Sequence, residues 1–136
     1  MDSRPYALFI ERLRGAGLRP TRQRIALAKL LFDGPDRHVT AENLHMEAQE
    51  NAVRVSLATV YNTLHQFTDV GLLREIVVDS NRCYFDTNVD DHHHFFYEDS
   101  GRLEDIPGAE VEVTRLPAAP EGKTVSRVDV VVRVTS

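Results

Sequence analysis

Three consecutive histidines, His92, His93 and His94, are the residues of this 136-residue chain best suited to metal chemistry. Carboxylates lie on both sides of the run, at Asp90, Asp91, Glu98, Glu104 and Asp105. Imidazole suits zinc, copper, iron and nickel, and carboxylate suits manganese. The run therefore indicates a metal or cofactor site. An exposed and inert histidine run is the alternative that the run alone leaves open.

The three imidazoles cannot all reach one ion from a strand. Residues 92–97 are predicted to form a strand, in which side chains two positions apart share a face. His92 and His94 therefore project together, and His93 projects to the opposite face. Further ligands must come from elsewhere, and the candidates are Asp86 across a linker, Asp105 on the partner strand and His38 in a loop.

Four helices are predicted before the histidine run. Hydroxyl side chains that can cap helix N-termini precede three of them, at Thr21, Thr40 and Ser56. The first helix is expected over residues 4–16 and the second to about Asp33, with Ile25, Ala28, Leu31 and Phe32 inward. The fourth places Val60, Leu64 and Phe67 on one face and ends at Gly71.

A β-hairpin follows the fourth helix, with strands at 72–79 and 82–85 around Ser80-Asn81. Helices followed by such a hairpin predict a winged helix-turn-helix, with the fourth helix in the major groove and the hairpin as the wing. A metal or cofactor site attached to a DNA-reading domain indicates a transcription factor controlled by a ligand.

A second, smaller domain is expected after this one. Its predicted strands are 92–97, 102–106 and 128–134, the last of them central in the sheet. Residues 110–113 alternate like a strand, whereas Pro117 and Pro120 exclude a long helix. The predicted fold is α+β: a winged helix-turn-helix domain at 1–85, a hinge at 86–91 and a small α/β domain at 92–136.

The charge is divided unevenly between these domains. The net charge is −5, but residues 1–85 carry 11 basic and 10 acidic side chains, against 5 and 11 in residues 86–136. DNA binding needs a local basic face rather than a basic protein. Six arginines fall in the region of the first two predicted helices, including the turn between them: Arg4, Arg12, Arg14, Arg19, Arg22 and Arg24. Ordinary solvated faces are the alternative for both halves.

The single cysteine, Cys83, excludes an internal disulfide and a zinc site built from paired cysteines. No apolar run is long enough to cross a bilayer, and the first residues lack the apolar core of a signal peptide. A cytoplasmic protein without a membrane partner is expected.

Several motifs carry a resemblance to the ferric uptake regulator (Fur) superfamily, in order and spacing over nearly the whole chain. They are Gly17 to Arg24, Ser56 to Leu64, Gly71-Leu72-Leu73, and the His92/His94 pair followed by Gly101. The resemblance implies a transcriptional regulator that binds double-stranded operator DNA as a homodimer, through a C-terminal dimerisation domain, and is not an enzyme.

The resemblance also implies the ligands. The regulatory site would hold Fe²⁺ or Mn²⁺, with Zn²⁺ as a substitute in vitro, on His38, Asp86, His92, His94 and Asp105. Metal there would fasten the two domains together and set the spacing of the recognition helices in the dimer. A second site, or a haem site, would use Asp91, His93 and Glu112; the late histidine usual for that second site falls near Arg127.

Two departures from the family pattern narrow the resemblance. Tyr97 and Ser100 replace the paired cysteines that hold a structural zinc, so that zinc is expected to be absent, and the tail around residues 116–122 is short. Together with the His-His-His run, both features resemble the iron response regulator (Irr) subfamily, which controls iron and haem metabolism and senses haem.

Haem would bind the histidine run, with His93 or a neighbouring histidine as an axial ligand, and compete with the metal. Cys83 precedes Tyr84, so the Cys-Pro haem motif of some members is absent. Haem-delivering or haem-synthesis proteins are then expected partners. A metal-dependent repressor of iron uptake or of the peroxide response, without haem sensing, is the main alternative. A non-haem iron enzyme with two histidines and one carboxylate and a metal-buffering protein are more distant ones.

On the recognition helix, Tyr61 is expected to pack on a thymine methyl group. Thr59 and Asn62 would reach bases or phosphates, whereas Ser56 would cap the helix. Phosphate or minor-groove contacts, which position the protein without specifying sequence, are expected from Arg14, Arg19, Arg22 and Arg54. A place in the core is the alternative for Tyr61, and a solvated surface position is the alternative for the arginines.

Overall fold

The computed structural model describes residues 6–136, which divide into two compact units between Val89 and Asp90. The first unit contains four α-helices and a three-stranded sheet, and the second contains another three-stranded sheet. Among residues 6–136, no helix is both long and apolar enough to cross a membrane. The predicted α+β class is confirmed.

The helices of the first unit begin close to the predicted positions. They are α1 (Ala7–Gly15), α2 (Arg22–Phe32), α3 (Ala41–Glu50) and α4 (Leu57–Asp69). The three predicted caps are present, because the hydroxyls of Thr21, Thr40 and Ser56 accept hydrogen bonds from the backbone N–H groups of Arg24, Asn43 and Thr59. The predicted start of the first helix at Arg4 lies outside the described residues.

The apolar faces of these helices form one core. Its fully buried members include Leu13, Leu27, Ala28, Leu31, Leu44, Ala48, Val60, Leu64 and Phe67. Ile25 and Phe32, predicted to point inward, are only partly buried and pack against this core, and Leu27 is buried on α2 instead. The buried face of α2 is therefore turned slightly from the face that its sequence pattern predicts.

The sheet of the first unit has the order β1-β3-β2 and is antiparallel. Its strands are β1 (His38–Val39), β2 (Arg74–Asp79) and β3 (Arg82–Asp86). The predicted hairpin is β2 and β3, and the expectation that His38 lies in a loop is wrong. A two-residue strand shows no alternation, and it exists only because β3, far along the chain, pairs with it.

The sheet of the second unit has the order β5-β4-β6. Its strands are β4 (His92–Tyr97), β5 (Leu103–Pro107) and β6 (Val131–Val134). β5 pairs antiparallel with β4, and β6 pairs parallel with it. The prediction of a central strand at 128–134 is wrong, because β6 is a shorter edge strand and β4 is central. In place of the alternating segment 110–113, the chain forms one 3₁₀ turn at Gly108–Glu110.

Candidate functional site

The first unit holds one pair of candidate metal ligands on neighbouring strands. His38 on β1 stands opposite Asp86 on β3 in the strand register, and its Nε2 lies 3.2 Å from Oδ2 of Asp86. The Asp86 side chain is only 1% exposed, and its Oδ1 accepts a hydrogen bond from the backbone N–H of Asn88 at 2.9 Å. One imidazole and one carboxylate are therefore held together with little freedom of movement.

A polar clamp around Arg37 holds the strand that carries His38. The backbone N–H of Arg37 donates to Oγ1 of Thr87 at 2.8 Å, and the Thr87 N–H donates to the Arg37 carbonyl at 3.0 Å. The guanidinium donates to both carboxylate oxygens of Glu47 on α3 and to the carbonyl of Leu30 on α2. The bond to Glu47 raises the pKa of Arg37. Sequence reasoning missed this clamp, since its members are far apart in the chain.

Arg74 is a second residue that the sequence did not single out. It is 4% exposed and stands opposite Asp86 in the β2–β3 register, so the Asp86 strand position lies between His38 on one side and a buried cation on the other. A buried arginine is rare unless it is paired, but nothing in the local sequence distinguishes it from a surface arginine.

The second unit holds three further candidate ligands. His92 and His94 lie on the same face of β4, as predicted, and both are buried. Their Nε2 atoms lie 3.4 Å and 3.3 Å from the same oxygen, Oδ1 of Asp105 on β5. Nδ1 of His92 lies 2.6 Å from the carbonyl of Asp90. Because a carbonyl only accepts, Nδ1 of His92 carries the proton and Nε2 of neutral His92 presents a lone pair to Asp105.

This donor set fits a divalent metal ion. With metal–ligand bonds of about 2.1 Å, neighbouring donor atoms in tetrahedral or octahedral complexes lie about 3.0 to 3.4 Å apart. The Nε2–Oδ1 distances of 3.3 and 3.4 Å match that spacing. The Nε2 lone pair of neutral His92 and the Asp105 carboxylate oxygen repel each other. A cation shared between them, either a proton or a metal ion, would stabilise this arrangement. Imidazole with carboxylate, without thiolate, suits iron and manganese as well as zinc.

His93 has a different environment from its neighbours. Its Nδ1 accepts a hydrogen bond from the backbone N–H of Val130 at 3.0 Å. The proton of its neutral imidazole therefore lies on Nε2. Within the described residues, His93 does not converge with Asp91 and Glu112 into one set of ligand atoms. Asp91 and Glu112 are both exposed.

The recognition helix α4 shows two of its predicted DNA contacts already engaged. The hydroxyl of Thr59 accepts a hydrogen bond from the Ser56 hydroxyl at 2.9 Å, within the helix cap. The hydroxyl of Tyr61 donates to Oε1 of Glu42 on α3 at 2.6 Å, and its half-buried ring packs against the core. Asn62 is exposed and remains open to contact a ligand.

The four arginines predicted to contact phosphates, Arg14, Arg19, Arg22 and Arg54, are all exposed. Arg24, which sequence reasoning counted only as part of a basic face, has another role. It donates to the side-chain oxygen of Gln66 on α4 and to the carbonyl of Arg19. It therefore ties α2 to α4 and supports the helix that would read DNA.

Cys83 is expected to react slowly with thiol reagents. Burial, and then the hydrogen bond that its Sγ donates to Glu75 at 3.0 Å, raise the thiol pKa to about 12. Since the thiolate is the nucleophile and the metal ligand, iodoacetamide at neutral pH should alkylate the folded protein at least about a hundredfold more slowly than the urea-unfolded chain. The rate should rise as the pH approaches 12. Mass spectrometry of timed samples measures both rates, and equal rates in the two states would contradict this protected thiol.

Comparison with known proteins adds independent support. The family model described as the ferric uptake regulator family matches residues 15–132. The peroxide-responsive repressor PerR of Staphylococcus aureus (strain Mu50 / ATCC 700699) is 32% identical over 108 residues, which are 79% of this chain and 72% of that protein.

Two solved structures have the same fold. The ferric uptake regulator from Pseudomonas aeruginosa with manganese has a TM-score of 0.73 at 27% identity, covering 95% of this chain and 98% of the other. The Vibrio cholerae ferric uptake regulator has a TM-score of 0.71 at 19% identity, covering 93% and 98%, a likeness that concerns the fold alone.

The family match spans most of the chain, and the family predicted from the motifs is confirmed. The chain belongs to the ferric uptake regulator family, whose members are metal-dependent transcriptional regulators that bind operator DNA as dimers and are not enzymes.

Proposed function

We propose that this protein is a repressor that binds its operator as a homodimer when one Mn²⁺ or Fe²⁺ ion is bound by His38, Asp86, His92, His94 and Asp105. The observation that carries the proposal is the convergence of His92 and His94 on one carboxylate oxygen of Asp105. Three donors leave a six-coordinate ion incomplete, and His38 with Asp86, both in the first unit, would supply two more.

The ligand types favour the metals named. Three imidazole nitrogens and two carboxylates form a nitrogen- and oxygen-rich set that suits Mn²⁺ and Fe²⁺. Among the described residues, Cys83 is not a member of the cluster of candidate ligand atoms. An ion shared between the two units would restrict the hinge and thereby the spacing of the two α4 helices in a dimer. We expect the protein in the cytoplasm, where a DNA-binding regulator would meet its operator.

DNA would be bound by the first unit. The exposed arginines Arg14, Arg19, Arg22 and Arg54 supply charge for the phosphates. The exposed Asn62 and the ring of Tyr61 are the proposed base contacts on α4. Since the hydroxyl of Thr59 belongs to the helix cap, we expect Thr59 to contribute less to recognition than these two residues.

The experiment begins by selecting an operator from a random duplex library with the full-length protein and Mn²⁺. Fluorescence anisotropy then measures its affinity for that duplex during a titration with Mn²⁺, with EDTA as the metal-free reference. We expect affinity to rise with metal and to fall when EDTA is added. Equal operator affinity with and without metal would contradict the proposal.

A haem-sensing role of the iron response regulator type is the finer form of this proposal. Its support is the histidine run together with Tyr97 and Ser100 at the positions of the usual zinc cysteines. A haem iron on Nε2 of His93 would displace the proton that the Val130 bond places there. We therefore favour His92 or His94 as the haem ligand, in competition with the metal.

An absorbance titration with haem, run beside the anisotropy assay, separates this form from the metal-only regulator. A Soret shift with loss of DNA binding in the wild-type protein supports haem sensing, provided that the Soret shift is removed in His92→Ala/His94→Ala. Metal-dependent binding that haem does not change supports a repressor of iron uptake or of the peroxide response, the latter in line with the PerR relative.

A further inference from the structure

One hydrogen bond links the recognition helix to the helix before it. The hydroxyl of Tyr61 on α4 donates to Oε1 of Glu42 on α3 at 2.6 Å. This length is within the range of O–H···O⁻ bonds, which are roughly twice as strong as bonds between neutral groups. The same contact raises the pKa of Tyr61 above its ordinary value, so the phenol stays protonated and remains a donor.

The Tyr61 ring is held from other sides as well. Its inner side packs against the core of the first unit, and the ring of His65, one helical turn later, stacks with it at a centroid distance of 6.5 Å and an angle of 18°. Because the Tyr61 hydroxyl donates its hydrogen bond to Glu42, it cannot also donate one to a base edge in this conformation. Its ring carbons remain for apolar contact, which is the contact that a thymine methyl group offers.

Glu42 itself is poorly suited to bind DNA. Its side chain is exposed and charged, and a carboxylate near a duplex is repelled by the phosphates. Its position in the first turn of α3 stabilises its negative charge through the free N–H groups of the helix start. The negative charge of Glu42, next to the proposed base-reading side chain of Tyr61, lowers the overall affinity for DNA. Its place there favours a role in sequence discrimination.

We infer that Glu42 is a specificity-determining, positioning residue: it holds the ring of Tyr61 in the orientation in which the ring packs on a thymine methyl group. The inference rests on the proposed function, in which Tyr61 reads DNA. In this inference Glu42 touches no base. It raises the discrimination in favour of thymine and lowers the overall affinity for DNA.

The test uses the full-length, Mn²⁺-loaded protein and its selected operator. Each thymine of the operator is replaced in turn by uracil, which lacks only the methyl group, and anisotropy gives the two affinities. At the position read by Tyr61, the wild-type protein should lose about fourfold in affinity, the equivalent of one buried methyl group. Glu42→Ala should lose this discrimination while it binds random duplex as tightly as the wild type or more tightly.

Two further variants separate the hydrogen bond from the charge. Glu42→Gln keeps an oxygen acceptor without charge, and it should retain most of the thymine discrimination. Glu50→Ala removes an exposed carboxylate from the other end of the same helix, and it should retain all of it. Equal loss in Glu42→Gln and Glu42→Ala, or any loss in Glu50→Ala, would count against a positioning bond.

Tyr61→Phe breaks the same bond from the other side and guards against a misfolded Glu42 variant. It should lose as much discrimination as Glu42→Ala, and the double variant should lose no more than either single one. Full discrimination in Tyr61→Phe, or an additive loss in the double variant, overturns the inference. If the wild-type protein selects no operator, the proposed function fails and the inference with it. If it selects one and Glu42→Ala still discriminates, the inference alone fails.

Discussion

Replacement of His94 by alanine is expected to lower the affinity for Mn²⁺ by at least about a hundredfold and to remove metal-dependent operator binding. Loss of a residue that merely supports a metal ligand commonly costs about 10- to 100-fold, and His94 is proposed as a direct ligand. Its buried Nε2 lies 3.3 Å from the Asp105 carboxylate, and the oxygen of a water molecule that replaced it would not be held as firmly. Isothermal titration with Mn²⁺ measures the loss.

His93→Asn is the matched control, on the same strand but the opposite face. The asparagine Oδ1 stands where Nδ1 of His93 stands, so it can accept the hydrogen bond that Val130 now donates to His93. This variant should bind Mn²⁺ and operator as the wild type does. If His94→Ala retained wild-type Mn²⁺ affinity, or if both variants lost affinity equally, the assignment of the metal to the His92/His94 face would be wrong.

Replacement of Phe67 by alanine is expected to destabilise the first unit by about 3–5 kcal/mol. Phe67 is 0% exposed and stacks with Phe32 at a centroid distance of 6.2 Å, so its removal leaves a cavity between α2 and α4. A loss of this size is a large part of the free energy of unfolding of a typical domain, which is roughly 5–15 kcal/mol. Much of the protein should therefore unfold at low urea concentration.

Urea denaturation followed by far-ultraviolet circular dichroism measures the change, because the α-helices of the described residues all lie in the first unit. Val77→Ala is the control, since Val77 is 62% exposed and its truncation should cost no more than about 0.5 kcal/mol. A Phe67→Ala midpoint as high as that of Val77→Ala would show that the core tolerates the cavity.

The helices and the histidine pair were predictable because their signals are local. A hydroxyl cap such as Thr40 or Ser56 bonds to an N–H three residues ahead, so the motif and its partner lie in the same short stretch. The alternation that puts His92 and His94 on one face follows from two residues of strand geometry.

Features that depend on distant pairing were not predictable in the same way. β1 has only two residues and forms by pairing with β3, and the Glu42–Tyr61 bond joins residues on different helices. The buried Arg74 and the clamp of Arg37 on Glu47 have no local signature either. For the proposed metal site, the family resemblance indicated all five candidate ligands, whereas the strand pattern alone indicated two.

The parallel pairing of β4 with β6 has a kinetic consequence. It pairs His94 with Val131, so a long loop must close before the contacts between the two strands can form. Closing that loop costs conformational entropy. Contacts of this sequence separation raise contact order, and folding slows as contact order rises. The strand that carries His92 and His94, the proposed metal ligands, is therefore paired on one side only until residues 131–134 have been synthesised. A nascent chain should thus form its DNA-reading helices well before it can sense metal.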